Sequence, residues 1–285
     1  MKKPNYIGFN PEKLREPSSV QSLHDTYKRI QFKYRYPRGI ADVSQLDLPI
    51  FDKTSLVAWW PFIHDLKDYG PNGFDWTPST TVKTTRSTPI FLPGQRGKAL
   101  YLANQNWAIA HNAAWSWGTG NFTLMFWMHV NHQEQWGLAG LGSSSTLGSG
   151  LISKRTNDSD TGWEFYNNGS AAQSGHMNFR MQNIDLVSSG LVPSNQWTHY
   201  AVVRYGTGAS LTYLYINGYL DATQTYTTNI ASTSYLSLGR SIFYSQYNRG
   251  TSIKHFLAFS RALDQREILT FINRTGSDIP VPDEL

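Results

Sequence analysis

The chain has 285 residues, 40% of them hydrophobic and only 16% charged, which is enough apolar material for one large domain and excludes a disordered or highly charged chain. It contains no cysteine, so disulfides, cysteine-ligated zinc and thiol catalysis are excluded. The net charge of +5 is uneven, because residues 1–50 hold nine Lys or Arg against five Asp or Glu and everything after them is nearly neutral.

Lys2 and Lys3 are followed by no apolar stretch, so no signal peptide is expected and the chain is expected to fold in a cytoplasm. No run approaches the ~18 apolar residues that a membrane span needs. Residues 1–17 hold three prolines and read as extended chain. Ser18 or Ser19 then offers an N-cap, and Val20, Leu23, Tyr27, Ile30 and Tyr34 recur at helical spacing. Pro37-Arg38-Gly39 ends that helix. Lys28, Arg29, Lys33, Arg35 and Arg38 accompany the stripe with no acid among them. So basic a segment suits nucleic acid, but the apolar stripe favours docking on protein, either a partner or the chain's own domain. Residues 1–54 are therefore expected to form a basic arm and linker, and nucleic acid is not the favoured partner.

From Leu56 the period changes to two. Phe122, Leu124, Phe126, Met128 and Val130 alternate with Thr123, Met125, Trp127 and His129. Short segments of this kind recur as LVAWWPF, KALYLA, WEFY, HMNFRMQ, WTHYAVVR, LTYLYIN, YLSLGR and SIKHFLAF, with Gly-, Ser- and Asn-rich turns between them. Asn217-Gly218 predicts a type I′ hairpin. Residues 140–150, GLGSSSTLGSG, read as a loop. Asp264 and Glu267 have capping-box spacing ahead of Ile268, Leu269 and Ile272, which predicts one short helix. Residues 276–285 read as an extended tail. The fold class expected is all-β, a two-sheet antiparallel sandwich over residues 55–275 with one C-terminal helix.

The order of these segments resembles laminin-G-like domains of the concanavalin A-like lectin/glucanase superfamily. Trp59, Trp60, Phe62, Asp68, Asn72 and Gly73 resemble the first strand and its turn. Gly94, Gly97, Lys98, Ala99 and Leu100 resemble the next element, and GNFTLMFWMHV the central strand. Trp197, His199, Asn217 and Gly218 resemble a back-sheet hairpin, with a structural residue at the position of His199. LSLGR and FSRALDQREI resemble the closing strand and helix. The resemblance implies a jelly roll that binds glycans or proteins, holds calcium in some members and hydrolyses glycosides in others.

The residues narrow those options. Glycosidases of this fold carry carboxylates spaced E-x-D-x-x-E on one strand. The six glutamates here, Glu12, Glu16, Glu134, Glu164, Glu267 and Glu284, form no such pattern, and Glu164 stands without an acidic neighbour two or three residues on. No G-x-S-x-G or H-E-x-x-H motif occurs, and His129 with His132 is only a loose pair. Asp65, Asp68 and Asp75 cluster at one turn, and Asn157, Asp158 and Asp160 at another. Relatives carry an acid on the closing strand where Lys254 and His255 stand here, so no metal and no cofactor are expected. Asp68 reads as a turn-forming side chain. Among tryptophans near turns, Trp117, Trp136 and Trp163 are the candidates for stacking on sugar rings, while Trp59, Trp60, Trp127 and Trp197 read as core.

The expectation is a non-catalytic virion surface protein, a phage head decoration or accessory protein. Its arm would anchor on a capsid or other virion protein, and its sandwich would face a host-surface glycan, with homo-oligomers allowed. A bacterial carbohydrate-binding module or surface adhesin domain is the alternative, and a glycoside hydrolase the weaker one.

Overall fold

A computed structural model describes residues 53–78, 88–93, 98–102, 107–131, 149–155, 161–167, 175–181, 184–206, 210–227, 229–240, 248 and 250–275. All of them lie in the compact unit Ala41–Leu285. The arm, including Val20, Leu23, Tyr27, Lys28, Arg29, Ile30, Lys33, Tyr34, Arg35 and Arg38, lies outside the described residues, as does the tail.

The strands are β1 (Leu56–Trp60), β2 (Thr77–Pro78), β3 (Ile90–Pro93), β4 (Lys98–Leu102), β5 (Trp107–Ile109), β6 (Phe122–Val130), β7 (Ser149–Ser153), β8 (Trp163–Asn167), β9 (His176–Met181), β10 (Ile184–Leu191), β11 (Trp197–Tyr205), β12 (Leu211–Ile216), β13 (Tyr219–Thr225), β14 (Leu236–Leu238) and β15 (Thr251–Phe259). One sheet has eight strands in the order β13-β12-β11-β6-β15-β4-β3, with β1 also on β15; the other has seven, β10-β9-β8-β7-β14-β5-β2. Every pairing between these strands is antiparallel. The all-β sandwich read from the sequence is the fold, with α1 (Gln265–Thr275) as its C-terminal helix.

The period of two on β6 explains the core. Phe122, Leu124, Phe126, Met128 and Val130 all point between the sheets and are buried there. They meet Trp107, Ile152, Trp163, Phe165 and Leu238 of the seven-stranded sheet. Phe126 and Phe165 touch edge to face at 5.0 Å, and Trp60 stacks on Phe256 at 5.2 Å. Each such ring contributes about 1.5–3 kcal/mol by leaving water.

Thr123, Met125 and Trp127 of the alternate set on β6 are buried too, because α1 covers that outer face. Trp127 Nε1 donates to Thr275 Oγ1 at 2.9 Å, and the Phe271 ring packs on His199 at 5.6 Å. The helix starts as its sequence dictates: Glu267 N donates to Asp264 Oδ1 and Asp264 N to Glu267 Oε2, both at 2.9 Å, a reciprocal capping box. Asn217 (φ 50°) and Gly218 (φ 82°) form the tight turn between β12 and β13. A β-carbon on Gly218 would stand 2.5 Å from Leu269 Cδ2, so this turn is also the seat of α1.

Two readings of the sequence change. Ser149 and Gly150 belong to β7 rather than to a loop, and β10 was not anticipated. In β10, IDLVSSGL, the adjacent Ser188 and Ser189 break the apolar period. Asp68 does organise a turn: its carboxylate accepts from the backbone N–H of Trp59 (2.9 Å), Gly70 (2.7 Å) and Phe74 (2.9 Å). Burial nevertheless pushes its carboxyl above the ordinary range, against the lowering by those three donors.

Candidate functional site

The seven-stranded sheet carries polar side chains on the face turned away from the core. Its strand pairings place Thr77, Ala108, Ser237, Ser153, Glu164, Arg180 and Asp185 in one row that crosses all seven strands. Their chain neighbours Trp107, Leu238, Ile152, Phe165 and Phe179 point the other way, into the core. Tyr166 and Asn178, paired to each other, lie one row over on the same polar face.

The row is built around an arginine between two acids. Arg180 Nε and Nη2 each donate to Asp185 at 2.7 Å, a two-point ion pair. Tyr166 OH adds a third bond to Asp185 Oδ1 at 2.8 Å, and the guanidinium lies 5.2 Å from the Tyr166 ring centroid. Glu164 stands across the strand on the other side of Arg180 and is fully buried. The row reaches solvent at both ends, at Thr77, which is exposed, and at Arg180 and Asp185, whose side chains are 15% and 18% exposed; Glu164 and Ser153 between them are buried.

Among the described residues, Ser153 Oγ, directly opposite Glu164, and Asn178 Oδ1 beside Tyr166 are buried on this face without a hydrogen-bond partner. Both residues are fully buried. A buried hydroxyl or amide oxygen without a partner costs about 1–3 kcal/mol, so it marks a place where something polar belongs. The unpartnered indole N–H groups of Trp107 and Trp163, by contrast, sit on residues of the apolar core, where no polar ligand fits.

The chemistry on offer is hydrogen bonding to a polyol. Hydrolysis of a glycoside needs two carboxyl groups facing the scissile bond. Asp185 has both oxygens engaged by Arg180, and Arg180 stands between it and Glu164, two strands and roughly 9.5 Å of backbone away.

The tryptophans singled out in the sequence do not form this site. Trp163 opens β8 and is completely buried, so it has no face for a sugar. Trp117 packs face to face with Phe122 at 4.9 Å and with Trp163 at 6.2 Å. Trp163 is corrected to core packing, while Trp117 is partly buried, its ring packed against the core from the turn after β5, a direction that turn residues do not reveal in sequence. Trp136 lies outside the described residues. Trp197, read as core, is instead partly exposed. What sequence reasoning missed is the cross-strand row. Glu164 looked solitary because its partners are on β9 and β10. The available signal was Arg180 and Asp185, equidistant from a two-residue hairpin whose last pair is Met181 with Ile184.

The other candidates resolve by geometry. Asp75 Oδ1 accepts Asp68 N, and Asp65 takes the Tyr69 hydroxyl and Lys67 N, so the acidic turn is occupied by its own backbone and Tyr69. Burial and the neighbouring Asp65 push the Tyr69 hydroxyl up to about 12. Asn157, Asp158, Asp160 and His132 lie outside the described residues. Among the described residues no group of three or more His, Cys, Asp or Glu could hold a metal ion, and no helix is long and apolar enough to cross a membrane. Lys254 stands where relatives were expected to carry an acid; its ammonium lies 4.8 Å from the Trp197 ring and 5.9 Å from that of Trp127.

Residues 102–269 match the family described as the concanavalin A-like lectin/glucanases superfamily, and the chain belongs to it. Among solved structures, it resembles the binding domain of Paraclostridial Mosquitocidal Protein 1, at 20% identity and a TM-score of 0.59 over 78% of this chain and 52% of that one. Domain 4 of AbnA, an extracellular arabinanase from Geobacillus stearothermophilus solved with arabinotriose, matches at 17% identity and a TM-score of 0.56, over 76% of this chain and 97% of that one. The binding domain of Botulinum Neurotoxin DC in complex with SialylT matches at 16% identity and a TM-score of 0.54, over 78% and 51%. The chain thus spans about half the length of those toxin domains. These likenesses show a shared fold. No curated protein matches the sequence.

Proposed function

We propose that this protein is a non-catalytic glycan-binding module whose sugar site is the polar row on the outer face of the seven-stranded sheet. The observation that carries the reading is the pair of unpartnered buried atoms, Ser153 Oγ and Asn178 Oδ1, flanking Glu164 on that face. A sugar entering past Arg180 and Asp185 would find a guanidinium donor first. Deeper in, beside the buried Glu164, Ser153 and Asn178 would gain the partners they lack. Support comes from the family and from two structural relatives solved with sugars, the neurotoxin binding domain with SialylT and domain 4 of AbnA with arabinotriose. The test is glycan-array binding of the full chain, repeated with Arg180→Ala and Glu164→Gln. Both variants should lose the binding the wild type shows. Release of reducing sugar by the wild type that disappears in Glu164→Gln would overturn the non-catalytic reading.

The setting we propose is the surface of a virus particle, a phage head decoration or accessory protein. The basic arm, which holds nine Lys or Arg in residues 1–50, would anchor on a capsid protein while the sandwich faces outward. Deleting residues 1–50 should leave a folded sandwich and abolish co-purification with particles; a truncated protein that still decorates them refutes the anchor. A second reading, the carbohydrate-binding domain of a bacterial extracellular system, is favoured by the near-complete coverage of AbnA domain 4. It expects no association with particles at all.

A further inference from the structure

A stripe of tyrosines, partly exposed, lies on the opposite sheet. On the outer face of β11 and β12, Tyr205 and Tyr213 meet edge to face at 5.5 Å, and Tyr213 meets Tyr215 at 6.3 Å. Tyr205 is 40% exposed, Tyr213 is half-buried and Tyr215 lies at the inner end of the stripe with 8% exposed. Register puts them on one face: Tyr213 pairs with Val203, Tyr215 with Ala201, and Tyr205 with Leu211. The same face continues onto the edge strand β13 as Leu220, Thr223 and Thr225, all exposed. The stripe runs near the start of α1, close enough that Asp264 disfavours ionisation of both Tyr205 and Tyr215.

The charge pattern selects the occupant. Strands β12 and β13, LTYLYI and YLDATQT, contain no Lys or Arg; the nearby Glu267 is ion-paired with Arg261, which leaves Asp264 as the carboxylate facing the rings. Phosphate, sialic acid and nucleic acid would find no Lys or Arg on these two strands to receive them. A neutral saccharide suits every part of the surface. Its C–H faces pack on phenol rings, and its hydroxyls reach the Tyr and Thr hydroxyls along the sheet edge. Tyrosine also brings ring area at a small entropic cost, since it has two side-chain torsions.

We infer that the Tyr205–Tyr213–Tyr215 stripe is a second saccharide surface, specific for an uncharged glycan chain. It lies on the sheet opposite the polar row, so one domain would hold two glycan segments and gain avidity on a surface that displays many of them. The inference rests on the reading of the domain as a glycan binder, but it uses none of the residues of the polar row.

The test is affinity electrophoresis of the full chain through gels containing arabinan, xylan, mannan or β-glucan, with dextran sulfate as the anionic comparison. The proteins compared are wild type, Tyr205→Ala/Tyr213→Ala, Tyr213→Phe and Ser153→Ala. Far-UV circular dichroism and Tm serve as folding controls, and the first two positions are exposed enough to tolerate truncation. The double variant should bind a retarding neutral polysaccharide about tenfold more weakly, as loss of one to two ring contacts predicts. Tyr213→Phe should keep most of the retardation, because the ring remains. If the double variant binds as the wild type does while Ser153→Ala binds less, the second surface is refuted and the glycan reading stands. If no neutral gel retards the wild type, both fall. Retardation by dextran sulfate that the double variant loses would refute the neutral specificity.

Discussion

His199 gives the sharpest test of how the outer face of the eight-stranded sheet is built. The side chain lies between β11 and α1, with the Trp127 ring at 5.2 Å and the Phe271 ring at 5.6 Å. Neither ring nitrogen has a hydrogen-bond partner. Desolvation lowers its pKa from 6.5 to about 3, so the folded protein holds the imidazole neutral through the mildly acidic range. The unfolded chain does not, and below pH 6.5 it binds a proton that the folded chain refuses. Stability from this residue is therefore complete above about pH 7, falls as pH drops through 6.5, and levels only near 3. Between pH 7.5 and 4.5 the loss is about 2.7 kcal/mol, two units below the unfolded pKa at 1.36 kcal/mol each. His199→Leu should remove that slope. At pH 7.5 the variant should be about as stable as the wild type, because an apolar side chain replaces two unpartnered nitrogens. Urea denaturation of both proteins at pH 7.5 and 4.5 measures the difference directly. The gap should widen by about 2–3 kcal/mol in the variant's favour at the lower pH. An equal fall in both proteins would refute a neutral, desolvated His199.

Three further outcomes follow from single contacts. Asp68→Ala strips three backbone N–H groups of their acceptor and should lower stability by about 3 kcal/mol in a thermal melt, whereas loss of a merely exposed turn acid would change Tm little. Gly218→Ala combines a positive φ with a β-carbon 2.5 Å from Leu269, and should cost more than about 1 kcal/mol in urea denaturation. Asp221 of β13 accepts Ser189 N at 2.8 Å and the Ser189 hydroxyl, tying the edges of the two sheets together; Asp221→Ala should speed hydrogen exchange in β10 and β13 before it affects β6.

Much of the sandwich was legible because its rules are local. The period of two on β6 fixed which residues face the core, Asn217-Gly218 named its own turn, and Asp264 with Glu267 named the helix start. Short or polar strands escaped for the same reason: Thr77–Pro78 is too brief to show a period, and serines interrupt it in β10. The candidate site was almost illegible. Whether a tryptophan beside a turn points outward depends on chain reversal, so Trp117 and Trp163 read as surface, yet Trp163 is core and Trp117 is packed against it. Glu164, Arg180 and Asp185 become neighbours only through strand pairing, and Tyr205 meets Tyr213 across the β11–β12 hairpin. Register, which no single strand carries, is what assembled both surfaces.

The measurement that bears most directly on the glycan reading is Ser153→Ala, followed in parallel by melting temperature and by affinity for whichever glycan the array identifies. The substitution deletes a buried hydroxyl that has no partner in the unliganded fold. Tm should stay the same or rise, while affinity should fall about fivefold or more, the worth of one hydrogen bond of about 1 kcal/mol. Unchanged affinity would contradict a sugar site on the polar row, and would leave the Ser153 hydroxyl as a packing defect of β7.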